Sequence, residues 1–100
     1  MKRLKIVAIC GHGMGTAILM KMLTQKCAKK LGVDADVDVG NVAVAKSYSM
    51  DYDMIVASTE LEDTLKAVGL PFILLDNFIK EEPCLEKMKK VLSENFGYNF

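Results

Sequence analysis

No run of lysine or arginine longer than two occurs in this 100-residue chain, and thirteen basic side chains are balanced by thirteen acidic ones. The positive field that non-specific nucleic-acid binding needs is missing, so nucleic acid is not an expected partner. Long hydrophobic runs are missing too: Ile18-Leu19-Met20 and Pro71-Phe72-Ile73-Leu74-Leu75 fall far short of the roughly 20 residues that a bilayer crossing requires. No direct membrane insertion is expected. Cysteine is scarce and odd in number, with three residues, no CxxC pair and no Cys/His cluster that would supply four metal ligands. Neither a disulfide framework nor a metal site is expected, and a reducing cytoplasm fits this usage best. The apolar stretch after Met1-Lys2-Arg3 is interrupted by Lys5 and runs into glycine instead of a small-residue cleavage site, so no signal peptide is read.

What is present is core material. Apolar residues make up 51% of the chain, enough for one compact domain spanning 1–100. Leu4 to Cys10 is a mostly apolar, β-prone run stopped by glycine, as in a buried parallel strand. From Thr16 the period changes: Met20, Leu23, Cys27 and Leu31 recur every three or four residues, and Gly32 stands where a helix stop belongs. Val33 to Val39 alternates valine and alanine with Asp34, Asp36 and Asp38, which predicts an edge strand with one wet face. Residues 41–51 fit a short helix or a plain connection. Asp53 to Ala57 reads as a central strand, and Thr59 with Glu62 has capping-box spacing at the head of a helix from about Leu61 to Val68, closed by Gly69. Pro71 to Leu75 gives a fourth strand. A last helix from near Pro83 buries Leu85, Met88, Leu92 and Phe96 and ends at Gly97. Strands alternating with helices predict an α/β domain, a single three-layer unit with a parallel sheet.

In an open parallel sheet, ligands bind beyond the carboxyl ends of the strands, and the first strand ends at Cys10. Gly11, Gly13 and Gly15 follow, where the missing Cβ atoms let the backbone fold tightly and aim N–H groups at an anion. The helix start just beyond favours a phosphate at the same point, and a thiolate as well. Thr16 has one hydroxyl, which either caps the helix or reaches a phosphate oxygen. His12, the sole histidine, suits a hydrogen-bonding or solvent-facing role. Cys27 lies on the apolar stripe of the first helix and, like Cys84, reads as structural. The loop is not a dinucleotide fingerprint, because its spacing is not G-x-G-x-x-G.

Ile9-Cys10-Gly11, then x-Gly13-x-Gly15-Thr16 and a Met-rich helix, resembles the sugar-specific B components (enzyme IIB) of the bacterial phosphoenolpyruvate-dependent phosphotransferase system, ascorbate and galactitol types. The resemblance extends to Ile55-Val56-Ala57-Ser58-Thr59 and covers nearly the whole chain. It implies a four-stranded parallel sheet flanked by helices, like low-molecular-weight tyrosine phosphatases. It also implies a cytoplasmic phosphoryl carrier in which Cys10 takes phosphate from a phosphohistidine of the A component and passes it to a sugar bound in the membrane C component. The C component would recruit the chain to the inner face of the membrane. Gly11, His12, Gly13, Met14, Gly15 and Thr16 would form the phosphate cradle, and no cofactor is implied. His12, Met14 and Thr16 stand where ascorbate-type relatives commonly carry Asn, Gln and Ser, which leaves the sugar open between ascorbate-like and galactitol- or pentitol-like. Two other readings use the same loop: a cysteine phosphatase or arsenate-reductase-like enzyme, and a non-catalytic nucleotide-binding or regulatory module. The phosphatases need arginine six positions after the cysteine, where this chain has Thr16.

Overall fold

The computed structural model describes residues 3–11 and 14–99. In chain order these form β1 (Leu4–Ile9), α1 (Met14–Lys30), β2 (Ala35–Val39), a 3-10 helix (Val42–Met50) and β3 (Met54–Ser58). A 3-10 turn (Thr59–Leu61), α2 (Glu62–Lys66), β4 (Phe72–Leu75) and α3 (Glu81–Phe96) complete the order. The strands build one parallel sheet in the order β2-β1-β3-β4. The chain is thus the α/β domain with a four-stranded parallel sheet flanked by helices that the sequence implies.

Alternation along β1 sorts the core into two layers. Leu4, Ile6, Ala8 and Cys10 join Ala17, Met20, Leu23 and Cys27 of α1 and Cys84, Met88 and Leu92 of α3. Val7 and Ile9 face the other way, onto Ile55, Ala57, Leu61 and Leu65. Because β1 and β3 are covered on both faces they are apolar almost throughout, while β2, at an edge, leaves Asp36 and Asp38 exposed. Asp36 pairs with Arg3 at 3.0 Å, and Asp38 accepts the Tyr52 hydroxyl at 3.0 Å.

Gly32 and Gly97 act as the stops read for them, whereas α2 ends at Lys66 with Ala67 at its cap, short of Gly69. Gly32, Gly69 and Gly97 all have positive φ, where a Cβ is disfavoured. Val33 N–H donates to the Ala28 carbonyl at 2.9 Å past Gly32, and Tyr98 N–H donates to Leu92 at 3.2 Å past Gly97, each satisfying a last-turn carbonyl. The ambiguous stretch 41–51 is mostly the 3-10 helix, with the Asn41 side chain accepting Ala43 N–H at 2.9 Å. It crosses from β2 to β3 on the face opposite α1 and α3 and lays Tyr48 and Tyr52 against the second layer, edge to face with centroids 5.4 Å apart.

Two local expectations are corrected. α1 begins at Met14 instead of Thr16, because the first turn accepts Gly15 where only orphan amides are at stake. The capping box does not form: β3 runs on through Ser58, residues 59–61 make a 3-10 turn, and no side chain caps α2.

Candidate functional site

The strand order reverses between β1 and β3: the chain leaves β1 to one side for β2, then returns to the other side for β3. A crevice opens at such a switch point beyond the carboxyl ends of the two strands, because the crossovers depart to opposite faces. The last paired residues there are Ile9 and Ala57. One step on stand Cys10 and Ser58.

Cys10 packs in the same cluster as Ala17 of α1, so its side chain lies on the α1 side of the sheet. It keeps 9% of its surface, whereas Cys27 and Cys84 keep 0%. Burial pushes the Cys27 thiol above its ordinary 9.0 and the Cys84 thiol further still, the contact between the two sulfurs adding to the rise at Cys84. Among the three thiols, Cys10 alone keeps any exposed surface.

The loop follows Cys10 directly, and α1 begins four positions on, at Met14. Met14, Gly15 and Thr16 are the first three residues of that 17-residue helix. Their N–H groups have no carbonyl one turn earlier within the helix, which makes that end attractive to an anion. Thr16 therefore lies inside the helix, not at the capping position, and its half-buried hydroxyl is released from that role. His12 and Gly13 lie outside the described residues, as does the side chain of Met14.

Gly11 is held in an unexpected way. Its N–H donates to Ser58 Oγ at 3.3 Å, and the Ser58 hydroxyl donates in turn to Glu60 Oε1 at 2.7 Å. A Cβ on Gly11 would stand 2.9 Å from that same Oε1. The carboxylate thus lies close against Gly11, at the end of a flexible, exposed side chain. Sequence reading missed Ser58 and Glu60, since it assigned Ser58-Thr59 to a helix start; only the β1–β3 register brings them beside the loop. Ser58 is 1% exposed, and its buried hydroxyl is satisfied on both sides by these partners.

Two cavities lie elsewhere among the described residues. An apolar groove of about 420 Å³ runs between α1 and the segment after β4, lined by Leu19, Met22, Phe78 and Ile79 with the stems of Lys26 and Lys29. Another of about 500 Å³ lies along the β2 edge among Lys5, Asp36, Asp38 and Tyr52. Among the described residues that line them there is no cysteine.

Comparison with known proteins places this geometry in context. Residues 5–94 match the family model described as PTS system, lactose/cellobiose-specific IIB subunit. The ascorbate-specific PTS system EIIB component of Mycoplasma pneumoniae is 34% identical over 86 residues, covering 80% of this chain and 90% of that protein. Its counterpart from Shigella dysenteriae is 28% identical over 93 residues, 92% of each chain. Among solved structures, the lactose-specific IIB component domain from Streptococcus pneumoniae superposes with a TM-score of 0.60 at 17% identity, covering 94% of this chain and 99% of that one.

Proposed function

The chain belongs to the IIB family of the phosphotransferase system, and from that premise we propose that Cys10 is the residue on which it carries its phosphoryl group. It is a phosphoryl carrier and transferase of a sugar phosphotransferase system, working with IIA and membrane IIC components. The observation that supports Cys10 is its place at the β1–β3 switch point beside the first turn of α1, as the one thiol with surface exposed.

Two displacements make up the reaction. The Cys10 thiolate attacks the phosphorus of a phosphohistidine on the A component; the S–P bond forms, the N–P bond breaks, and the imidazole keeps the electron pair and takes a proton from water. A hydroxyl of the substrate bound in the C component then attacks the same phosphorus. The O–P bond forms, the S–P bond breaks, the thiolate leaves with its electrons, and the hydroxyl proton passes to a base. The amides of Met14, Gly15 and Thr16 hold the phosphoryl oxygens through both steps. With Thr16 where a phosphatase has arginine, amide donors supply what charge stabilisation there is, which suits transfer between carriers more than hydrolysis.

The curated relatives named ascorbate-specific support an ascorbate-like substrate over a galactitol- or pentitol-like one. No helix among the described residues is long and apolar enough to cross a membrane, which fits a cytoplasmic protein brought to the membrane face by its C component. The test is to isolate the phosphorylated protein and follow its decay alone and with membranes containing an ascorbate-type C component and ascorbate. Slow loss alone and fast loss in the complete mixture are expected. Rapid turnover of a generic aryl phosphate by the protein alone would contradict the carrier reading.

A further inference from the structure

We propose that Glu60, acting with Ser58, sets how readily Cys10 gives up its phosphoryl group: its carboxylate sits over Gly11 and disfavours the phosphorylated state. This rests on the carrier reading of Cys10 and adds to it a positioning and electrostatic residue that lies outside the loop.

Geometry fixes the direction of the chain of bonds. A serine hydroxyl has one proton, and at 2.7 Å from Glu60 Oε1 that proton is committed to the carboxylate. Ser58 Oγ can then only accept from Gly11, as the 3.3 Å contact shows. The Gly11 N–H, the first amide after the nucleophile, is thereby turned toward β3. While Ser58 holds it, that donor is withheld from a phosphate on Cys10.

Charge acts in the same sense. The position of a Gly11 Cβ lies 2.9 Å from Oε1 and 3.6 Å from the carboxyl carbon, so the negative group stands directly against the residue that follows Cys10. A phosphoryl group on Cys10 carries up to two negative charges, and the carboxylate repels it. Glu60 is exposed, so water and salt weaken the field without abolishing it. Both effects loosen the hold on the phosphoryl group, which a carrier needs if it is to pass the group onward after accepting it.

The experiment uses Glu60→Gln, which keeps an oxygen acceptor for Ser58 and removes the charge. The whole protein is equilibrated with the phosphorylated A component of an ascorbate-type system, and the ratio of phospho to dephospho form is read by intact mass. That ratio is expected to rise on the order of three- to tenfold over wild type in low salt, and the difference to shrink in 1 M salt. Glu60→Asp should stay near wild type, and Ser58→Ala should raise the ratio by an amount that salt does not change. A normally phosphorylated wild type with that ratio unchanged in Glu60→Gln would overturn this proposal alone. Absence of phosphate from Cys10 in the wild type would overturn the carrier reading, and this proposal with it.

Discussion

The Gly11 amide donates to Ser58 Oγ at 3.3 Å, tying the end of β1 to the end of β3 across the point where the strand order reverses. Ser58 is buried and Gly11 is exposed, so the bond anchors a loop on the sheet. Replacing Ser58 with alanine removes this bond and the one to Glu60 and should cost about 1–2 kcal/mol in urea unfolding. A loss near zero would mean that the loop is held by other contacts.

Glu60 and Gly11 should be coupled. In Gly11→Ala the new Cβ meets the end of a flexible side chain at 2.9 Å, which can swing aside. The expected cost is below about 1 kcal/mol, and it should vanish in a Glu60→Ala background, giving a measurable interaction energy in a double-mutant cycle. Additive effects would show that the two residues do not compete for the same space.

Gly40 and Gly15 should behave in opposite ways. A Cβ at Gly40 would stand 2.5 Å from Val7 Cγ2 and 3.0 Å from the Tyr48 ring, both packed in the second core layer, so Gly40→Ala should cost about 1–3 kcal/mol. At Gly15, inside α1, nothing lies within 4 Å. Gly15→Ala should gain up to about 1 kcal/mol from lower backbone entropy in the unfolded chain. Thermal unfolding of both variants reads the two signs directly.

Cys27 and Cys84 predict a dependence on alkaline pH. Burial raises both thiols above the ordinary 9.0, so the folded state keeps protons that the unfolded chain loses. Their contribution is complete below pH 9 and declines as pH rises past it, by up to about 1.4 kcal/mol per pH unit for each thiol. Cys84→Ala should flatten that slope between pH 9 and 10.5 relative to wild type. In the native protein at pH 8, iodoacetamide should modify one cysteine, and in denaturant three.

Much of this was legible from residue order. The central strands β1 and β3 stand out as continuous apolar runs because helices cover both their faces, and β2 stands out by alternation because its Asp36 and Asp38 face water. Gly32 and Gly97 mark helix ends where the backbone turns to positive φ. The start of α1 was hidden because Gly15 reads as loop wherever helix propensity alone is weighed, although a first turn tolerates it. The capping role expected of Thr59 failed for a related reason: one more residue of strand shifts the turn, and the hydroxyl that matters is that of Ser58. Its partners, Gly11 and Glu60, become neighbours only through the register of β1 on β3, which no local pattern encodes.

The most direct test of the account is to incubate wild-type protein, Cys10→Ser, Cys27→Ala and Cys84→Ala with phosphoenolpyruvate, the general phosphotransferase proteins and an ascorbate-type A component, and to locate phosphate by mass spectrometry. One phosphoryl group on Cys10 is predicted in wild type, Cys27→Ala and Cys84→Ala, and none in Cys10→Ser. Labelling of Cys10→Ser at the wild-type level would contradict the account.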